Sequence, residues 1–281
     1  MNLDKIIAVR TGKTVYKDSD RVIKVFDNDY SKTDILNEAL NQARAEEAGL
    51  SVPRLYGVEK EDGKWAIVSE YISGKTVAEI IAENPEKVDE IIKRFAEIQI
   101  GLQKNGSLPF ARLKDKVERR IGLADVDDKT RARLLKMLSD FPEGHCLCHC
   151  DFSPTNVIID KSGNPVVIDW SHAAIGAAEA DAASTYLRYL FIDKTIAEKY
   201  LDFYCECAGS SCHLKGSRQV VEALQGLIAD NDLKNSVELG GTFCMGNCQQ
   251  GVCVTVDGEL YSVSPETVGE FFESNVLSKL K

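Results

Sequence analysis

Two aspartates and an asparagine in the middle of the chain have the types and spacing that phosphoryl transfer from a nucleotide requires. Asn156 follows Asp151 by five residues, and Asp169 comes thirteen residues after Asn156. Such a transfer needs a carboxylate that takes the proton of the acceptor hydroxyl and oxygen ligands that hold Mg²⁺. Mg²⁺ is a hard cation that prefers carboxylates, carbonyls and water. We therefore expect these three side chains to share one site.

A lysine and a glutamate upstream could complete this site. Lys24 lies in a short β-type apolar run over 22–26, and Glu38 lies on the inward face of a helix predicted over 33–49. An ion pair between them would hold the lysine ammonium group toward the phosphates of a nucleotide.

In this order, these residues resemble the aminoglycoside phosphotransferase and choline kinase-like family, a branch of the protein-kinase-like fold. The resemblance covers about residues 8–203. It rests on Lys24, Glu38, Glu70-Tyr71-Ile72 before Gly74, the run His149 to Asn156, Ile168-Asp169-Trp170, Gly176 and Asp181.

The resemblance implies a role for each of these groups. Asp151 would be the catalytic base, Asn156 and Asp169 the Mg²⁺ ligands, and Lys24 a contact to the ATP phosphates, paired with Glu38. The backbone of Glu70, Tyr71 and Ile72 would bind adenine as the hinge. Asp181 would be buried and would brace the loop that carries the base.

The chain also departs from the pattern of that family. Cys150 stands where the family usually has glycine, Ala177 and Ala178 replace a usual Asp-Pro, and the glycine-rich loop is reduced to Gly12. His172, just after Trp170, could touch the substrate or serve a structural role.

Four cysteines in the last third of the chain form a second candidate site. Cys207 and Cys212 are separated by four residues, and Cys244 and Cys248 by three. Four thiolates in two loop pairs can hold zinc or a [2Fe–2S] cluster. Glycines inside both loops allow backbone N–H groups to approach the sulfurs, which favours the cluster. Buried thiols without a metal are the structural alternative.

Residues 203–281 resemble the thioredoxin-like 2Fe–2S ferredoxin family, a module found in NADH dehydrogenases and related hydrogenases. The residues that carry this resemblance are the run Ser211 to Ser217 and the run Cys244 to Ser264. It implies a [2Fe–2S] cluster on the four paired cysteines, a redox protein partner and a homodimer formed through this module. The remaining cysteines, such as Cys148, are expected to be small core residues; a metal or redox site near Cys150 is the alternative.

The elements that must position these groups form an asymmetric pattern of two lobes. Short strands with one helix precede Gly74, and helices with a strand–turn–strand insert follow it. We predict an α+β two-lobed protein-kinase-like fold with an N-lobe over 1–73 and a C-lobe over 74–203. One long helix is expected over 179–203.

A small α/β thioredoxin-like domain is predicted over 204–281. Its first strand should come from about 202–207, although these residues also resemble the end of the last helix of the first domain. A helix should cover 217–229. Two strands are expected over 252–256 and 259–263. A last helix should begin at Pro265 with Ser264 as its N-cap.

Composition restricts the partners. The 281 residues carry 34 basic and 44 acidic side chains, for a net charge of -10. This balance argues against a nucleic acid as the main partner, because duplex-binding proteins present a basic face. The N-terminus lacks the apolar core of a signal peptide, and no apolar stretch is long enough to span a bilayer. We therefore expect a cytoplasmic protein without membrane contact.

Together these features predict an ATP- and Mg²⁺-dependent phosphotransferase that acts on a hydroxyl group of a small molecule and carries an appended [2Fe–2S] domain. The alternative is a 2Fe–2S electron-transfer protein whose kinase-like half is a nucleotide-binding scaffold without turnover. A third interpretation is a fused or truncated chain in which one half is vestigial. The sequence does not identify the phosphate acceptor.

Overall fold

The computed structural model describes residues 5–208, 215–234, 236–240 and 252–280. They divide into two units, with the boundary between Leu201 and Asp202. Within the described residues, no helix is both long and apolar enough to cross a membrane.

The alternating apolar runs at the start of the chain form a five-stranded antiparallel sheet with strand order β1-β2-β3-β5-β4. Its strands are β1 (Lys5–Arg10), β2 (Lys13–Asp18), β3 (Arg21–Phe26), β4 (Leu55–Glu61) and β5 (Lys64–Glu70).

Alternation along β3 divides its side chains between two apolar clusters. Ile23 and Val25 pack on one face of the sheet with residues of β5. Phe26 packs on the opposite face, against Ile35 of helix α1 (Lys32–Glu47). Successive side chains of a strand point to opposite faces, so Lys24 shares the face of Phe26 and is directed toward α1.

The rest of the first unit consists mainly of helices. They are α2 (Val77–Glu83), α3 (Val88–Gln103), α4 (Leu113–Leu123), α5 (Asp128–Asp140), α6 (Ala178–Leu190) and the larger part of α7 (Lys194–Cys207), within which the boundary between the units falls. Short strands form a three-stranded sheet, β6-β8-β9, and a two-stranded sheet, β10-β7. Their bounds are β6 (Gly74–Thr76), β7 (Cys146–Cys148), β8 (Val157–Asp160), β9 (Pro165–Val167) and β10 (Ala174–Gly176).

An aromatic cluster on α3 supports the loop that follows β7. The ring of Phe95 lies 4.5 Å from that of Phe152, and it meets Tyr189 and Tyr200 edge-on at 6.2 and 6.0 Å between centroids. All four residues are buried. The loop after β7 therefore rests on helices α3, α6 and α7.

The described part of the second unit contains helix α8 (Ser217–Asp230) and a hairpin of β11 (Val252–Val256) and β12 (Glu259–Val263). A final helical segment, α9, runs over Val268–Phe272, continues as a π-helical turn over Glu273–Leu277 and ends at Leu280. Buried residues of α8, the hairpin and α9 form one apolar core.

Two predictions about the helices around residue 200 are wrong. The helix expected over 179–203 is two helices, because the Oδ1 atom of Asp193 accepts hydrogen bonds from the N–H groups of Thr195 and Ile196 and starts α7 anew. The strand expected over 202–207 is instead the end of α7. Since α7 continues to Cys207, the predicted first strand of the second domain is not formed there.

Two helix starts also differ from expectation. Helix α2 was not predicted, although Thr76 and Glu79 form a capping box at its N-terminus. The last helix begins at Val268 rather than Pro265, because the N–H group of Ser264 donates to the hydroxyl of Thr267 and closes a turn there.

Candidate active site

Two lysines and two carboxylates meet between the sheet and the loop after β9. Lys24 of β3 forms an ion pair with Glu38 of α1, and its Nζ atom lies 3.2 Å from Oδ1 of Asp169. The Nζ atom of Lys13 lies 3.2 Å from the other carboxylate oxygen, Oδ2. We call these four residues the quartet. Their side chains are between 7% and 20% exposed, so they are shielded from bulk water.

Strand register brings the two lysines together. Lys13 opens β2 opposite Phe26, and Lys24 lies opposite Val15. Residues opposite each other on paired strands share a face of the sheet, as do residues two apart on one strand. Lys13, Phe26 and Lys24 therefore share a face, and both ammonium groups are directed toward the side of the sheet that α1 covers. The ion pair predicted for Lys24 and Glu38 is present, whereas Lys13 was not predicted.

Mutual attraction keeps the centre of the quartet ionised. Burial alone would lower the pKa of Lys24, but the Glu38 and Asp169 carboxylates raise it above its usual value. Burial would also raise the pKa of Asp169, yet Lys24 and Lys13 hold it well below its usual range. Burial and the nearby Lys24 charge lower the pKa of Lys13. Lys13 is therefore the less firmly held cation.

Backbone conformation presents Asp169 to the lysines. Asp169 adopts a left-handed backbone with φ of 64°, immediately before the 3₁₀ turn Trp170–His172. The hydroxyl of Ser171 donates to its Oδ1 atom at 3.1 Å. Trp170 is fully buried and anchors this turn through a hydrogen bond from its indole Nε1 to the carbonyl of Val167.

The side chain of Asp151 is held at one oxygen by an amide and contacts a guanidinium group at the other. The amide Nδ2 of Asn156 donates to the Asp151 carbonyl at 3.0 Å and to its Oδ2 atom at 3.2 Å. The Oδ1 atom is buried and accepts no hydrogen bond from the described residues. Its polar neighbour is the guanidinium group of Arg188, which forms an ion pair with it.

The loop that carries Asp151 is braced from behind by Asp181, as the family resemblance implied. The N–H group of Cys150 donates to Oδ1 of Asp181 at 2.7 Å, and Gln99 and Gln103 donate to its Oδ2 atom at 2.9 and 3.2 Å. Cys150 has a φ of 60°. A side chain costs about 1 kcal/mol in this left-handed region, which explains why glycine is usual at this position.

A second set of polar groups behind this brace was missed by the sequence analysis. Tyr200 donates to Oε1 of Gln99 at 2.5 Å, and Thr185 donates to the carbonyl of Phe152 at 3.0 Å. These groups connect helices α3, α6 and α7 to the loop. The available signal was that Gln99 and Gln103 interrupt the buried apolar stripe of α3 at helical spacing.

His149 connects the two halves of the site. Its ring is fully buried between Trp170 and Phe152, and burial lowers its pKa, so the ring is neutral. The Nε2 atom lies 3.1 Å from the carbonyl of Ile168 and must be the donor, since a carbonyl only accepts. His149 therefore ties the Asp151 loop to the segment that ends in Asp169.

Four basic side chains lie at Asp151 and at the turn that follows Asp169. The Nζ atom of Lys116 donates to the carbonyls of His172 and Ala173 at 2.9 and 3.2 Å, and Nη2 of Arg120 lies 3.3 Å from Nδ1 of His172. Arg188 pairs with Asp151. We call Lys116, Arg120, His172 and Arg188 the basic cluster.

The electrostatics of His172 tie this cluster to the rest of the site. Burial lowers the pKa of His172, Arg120 and Lys116 lower it further, and Asp151 and Asp169 oppose them. The imidazole therefore lies within electrostatic reach of both aspartates.

The predicted hinge residues follow the end of β5. The N–H groups of Glu70 and Tyr71 donate to the carbonyls of Arg54 and Asp20. The N–H group of Ile72 donates to no other described residue. Ile72 is thus the hinge position with a backbone donor left for a ligand.

The predicted cluster ligands lie mostly outside the described residues. Cys207 is described as the partly buried last residue of α7, whereas Cys212, Cys244 and Cys248 fall in the segments that are not. Within the described ranges, no group of three or more His, Cys, Asp or Glu side chains has the arrangement of a metal site. Cys148 is fully buried, as expected of a small core residue.

Comparison with known proteins places most of the chain among phosphotransferases. A family profile described as "Phosphotransferase enzyme family" matches residues 8–213. An aminoglycoside-3'-phosphotransferase of type VIII superposes with a TM-score of 0.54 at 18% identity, over 72% of this chain and 86% of that chain. A thermostable mutant of the aminoglycoside phosphotransferase APH(4)-Ia, in ternary complex with AMP-PNP and hygromycin B, gives 0.53 at 16% identity, over 80% and 88%. These structures confirm the predicted two-lobed, protein-kinase-like fold.

A smaller relative matches a quarter of the chain. A protein of Thermotoga maritima is 50% identical over 68 residues, which are 24% of this chain and 85% of that protein. A stretch of this chain therefore has a counterpart that occurs as a short, separate protein.

Proposed function

The chain belongs to the phosphotransferase enzyme family, as a small-molecule kinase, and we propose that it transfers the γ-phosphoryl group of ATP to a hydroxyl group of a small molecule. The observation that carries this proposal is the state of Asp151. One of its oxygens is fixed by Asn156, and the other, Oδ1, is buried and forms an ion pair with the half-exposed guanidinium group of Arg188. A carboxylate oxygen can accept more than one hydrogen bond. An acceptor hydroxyl could therefore donate to Oδ1 beside Arg188 or in its place.

Asp151 is the proposed catalytic base. The hydroxyl oxygen of the acceptor attacks the γ-phosphorus, its proton moves to Oδ1 of Asp151, and the bond to the bridging oxygen of ADP breaks with its electron pair. In such a reaction the protein mainly positions groups and stabilises charge. The braced loop around Cys150 and Asp181 supports this role because it fixes the carboxylate.

Asn156 and Asp169 have the donor atoms that suit Mg²⁺. Because the Nδ2 group of Asn156 is turned toward Asp151, its amide oxygen is left for a metal. Carboxylate and amide oxygens are the ligands that Mg²⁺ prefers. When bound, Mg²⁺ neutralises charge on the phosphates. These two residues are therefore the proposed metal ligands.

Lys24 and Lys13 are the proposed contacts to the nucleotide phosphates. Both ammonium groups are directed at Asp169, so a phosphate next to this carboxylate would meet both. Glu38 holds Lys24 in place. The free N–H group of Ile72, with the backbone of Glu70 and Tyr71, is the proposed adenine contact.

ADP release from Mg-ATP by the purified full chain, against a panel of small hydroxyl compounds, tests the proposal. Acceptor-dependent ADP that is lost in Asp151→Asn is the expected result. Asp160→Asn is a matched control, since Asp160 is a partly exposed aspartate of β8 that accepts hydrogen bonds from Ser162 and Asn164 of its own turn. If the Asp151→Asn variant released as much ADP as the wild type, the assignment of the base would be wrong.

We also propose that Cys207, Cys212, Cys244 and Cys248 bind a [2Fe–2S] cluster in a thioredoxin-like second domain. The donor set supports this, because four thiolates in two loop pairs suit such a cluster. The order helix, two strands, helix in the described part of this unit is compatible with an α/β module. The bound cluster would accept and release single electrons. The redox partner and the homodimer stay predictions.

Iron and acid-labile sulfide content, with visible absorption after anaerobic purification, test the cluster. Cys244→Ser should remove the absorption, whereas Cys253→Ser, a strand residue outside the proposed ligand set, should retain it. Equal iron content in both variants would refute the ligand assignment. The electron-carrier alternative predicts a reducible cluster and no acceptor-dependent ADP in the wild type.

A further inference from the structure

The basic cluster is a concentration of positive charge around the proposed base of an acidic protein. Lys116 and Arg120 lie four residues apart on α4 and therefore share one helix face. His172 lies in the 3₁₀ turn after Asp169, and Arg188 lies on α6. Three separate elements thus contribute basic side chains, two of them contacting the turn of His172 and one contacting Asp151.

Carboxylates of the protein leave this charge largely uncompensated. No carboxylate of the described residues forms an ion pair with Lys116 or Arg120. Asp151 pairs with Arg188. Asp169 is engaged by the lysines of the quartet, and Asp181 is buried behind the loop. Among the described residues, Asp151 is thus the one carboxylate that forms an ion pair with a member of the basic cluster.

The contacts of Lys116 show that it is fixed in position without being neutralised. Two of its three N–H donors bind the carbonyls of His172 and Ala173. Burial and the charge of Arg120 lower the pKa of its ammonium group. Like charges four residues apart also cost a helix about 0.3 kcal/mol. A preorganised cation with a donor to spare suits a ligand that carries negative charge.

We propose, on the basis of the phosphotransferase function above, that the hydroxyl acceptor is an anion whose carboxylate or phosphate is bound by Lys116, Arg120 and Arg188. Arginine and lysine are the residues that bind carboxylates and phosphates most strongly. A cationic acceptor would instead be repelled at this position. The aminoglycoside named for one structural relative, hygromycin B, therefore belongs to a different acceptor class.

Arg188 links recognition of the anion to the base. Its side chain is half exposed, while that of Asp151 is 17% exposed. An anionic acceptor would draw the guanidinium group from Asp151 and leave Oδ1 open for the proton of the hydroxyl. The transfer remains balanced: ATP and the acceptor alcohol give ADP, a phosphate monoester and one proton, which Asp151 receives.

Matched sets of acceptors that differ in charge test this inference on the full chain. One set is glucose 6-phosphate, glucose and glucosamine; the other is glycerate, glycerol and 3-amino-1,2-propanediol. Two quantities are measured: kcat/KM from ADP release with Mg-ATP, and the shift in Tm on adding each compound to protein loaded with Mg-AMP-PNP. We expect the anion of at least one set to give a kcat/KM at least tenfold above its neutral and cationic partners. If the enzyme phosphorylates no compound of a set, the anion of that set should still give a larger Tm shift than its neutral and cationic partners.

Variants separate recognition from folding. Arg120→Gln should raise KM for the anion about threefold and Lys116→Met about tenfold, each relative to the change in KM for the neutral partner. Arg119→Gln, the neighbouring exposed cation on α4, is the matched control and should change none of these. Higher salt should raise KM for the anionic acceptor more than KM for its neutral partner, because screening weakens exposed charges.

Each remaining outcome has a definite meaning. If the protein binds the nucleotide but the neutral or cationic compounds give an equal or larger kcat/KM or Tm shift than the anions, the inference of an anionic acceptor is wrong. The proposed phosphotransferase function would not be affected by that result. No Tm shift with Mg-AMP-PNP and no ADP release would overturn the phosphotransferase function itself, and the inference with it.

Discussion

The two sides of the candidate site hold positive charge in opposite ways. In the quartet, two lysines face two carboxylates in mostly buried surroundings, so the protein supplies its own counter-charge. In the basic cluster, Asp151 is the one carboxylate of the described residues that forms an ion pair with a member, Arg188, and both Arg120 and Arg188 are exposed. The quartet is a neutral arrangement that a nucleotide would rearrange. The basic cluster is a positive arrangement that a ligand would neutralise.

This difference predicts which side tolerates substitution. Removing one member of a buried ion pair leaves a charge in surroundings of low polarity and costs about 3–5 kcal/mol. Removing an exposed charge costs little stability, because water and salt already screen it. The quartet should therefore control both folding and activity, and the basic cluster mainly recognition.

Lys24→Met should have the largest effect. Glu38 and Asp169 would then face each other with Lys13 as the remaining cation, so we expect the free energy of unfolding to fall by about 3 kcal/mol. Urea denaturation measures this loss. The double variant Lys24→Met/Glu38→Gln removes the stranded charge and should recover much of the stability without recovering activity. A single variant as stable as the wild type would show that the quartet is not a coupled unit.

Lys13→Met should have an intermediate effect. Asp169 keeps its contact to Lys24, so the loss of stability should stay near 1 kcal/mol, the scale of one hydrogen bond. Lys13 is the less firmly held cation and a proposed phosphate contact, so KM for ATP should rise about tenfold. Lys5→Met, at an exposed lysine of the paired strand β1, is the matched control. An unchanged KM for ATP would exclude Lys13 from the nucleotide site.

The sequence predicted the members of the site that lie within short motifs. Asp151 and Asn156 fall in one loop, so their spacing alone indicates that they meet. Lys24 and Glu38 come from consecutive elements, where periodicity shows which side faces inward. Asp181 was assigned through the family resemblance, and its contact to Cys150 is present.

The missing members depend on tertiary packing. Lys13 reaches Asp169 because of how β2 and β3 pair, and register is not visible in a single run of residues. The contact of Tyr200 with Gln99 joins helices about one hundred residues apart. The break at Asp193 was hidden because apolar residues continue across it, and the capping side chain was the available signal.

Cys150→Gly tests the loop between the two sides with a small effect. Glycine accepts the left-handed backbone of residue 150 without strain, but it also increases the entropy of the unfolded chain. We expect a change in stability of no more than about 1 kcal/mol and unchanged turnover, because the hydrogen bond to Asp181 comes from the backbone. Calorimetry measures the change in stability, and ADP release measures the turnover. A loss of turnover would mean that the thiol itself contributes.

The smallest effects should be seen in the titration of His172, measured by NMR of its ring protons. Burial, Arg120 and Lys116 hold its pKa below the usual 6.5, whereas Asp151 and Asp169 oppose them. Arg120→Gln should therefore raise this pKa and Asp151→Asn should lower it, while Arg119→Gln leaves it unchanged. A lowered pKa in the folded state also means that the contribution of His172 to stability is present above pH 6.5 and is lost as the pH falls through the folded value. If Arg120→Gln and Asp151→Asn shifted the pKa of His172 in the same direction, His172 would not respond to the charges of the basic cluster. The electrostatic difference between the basic cluster and the quartet would then lose its support.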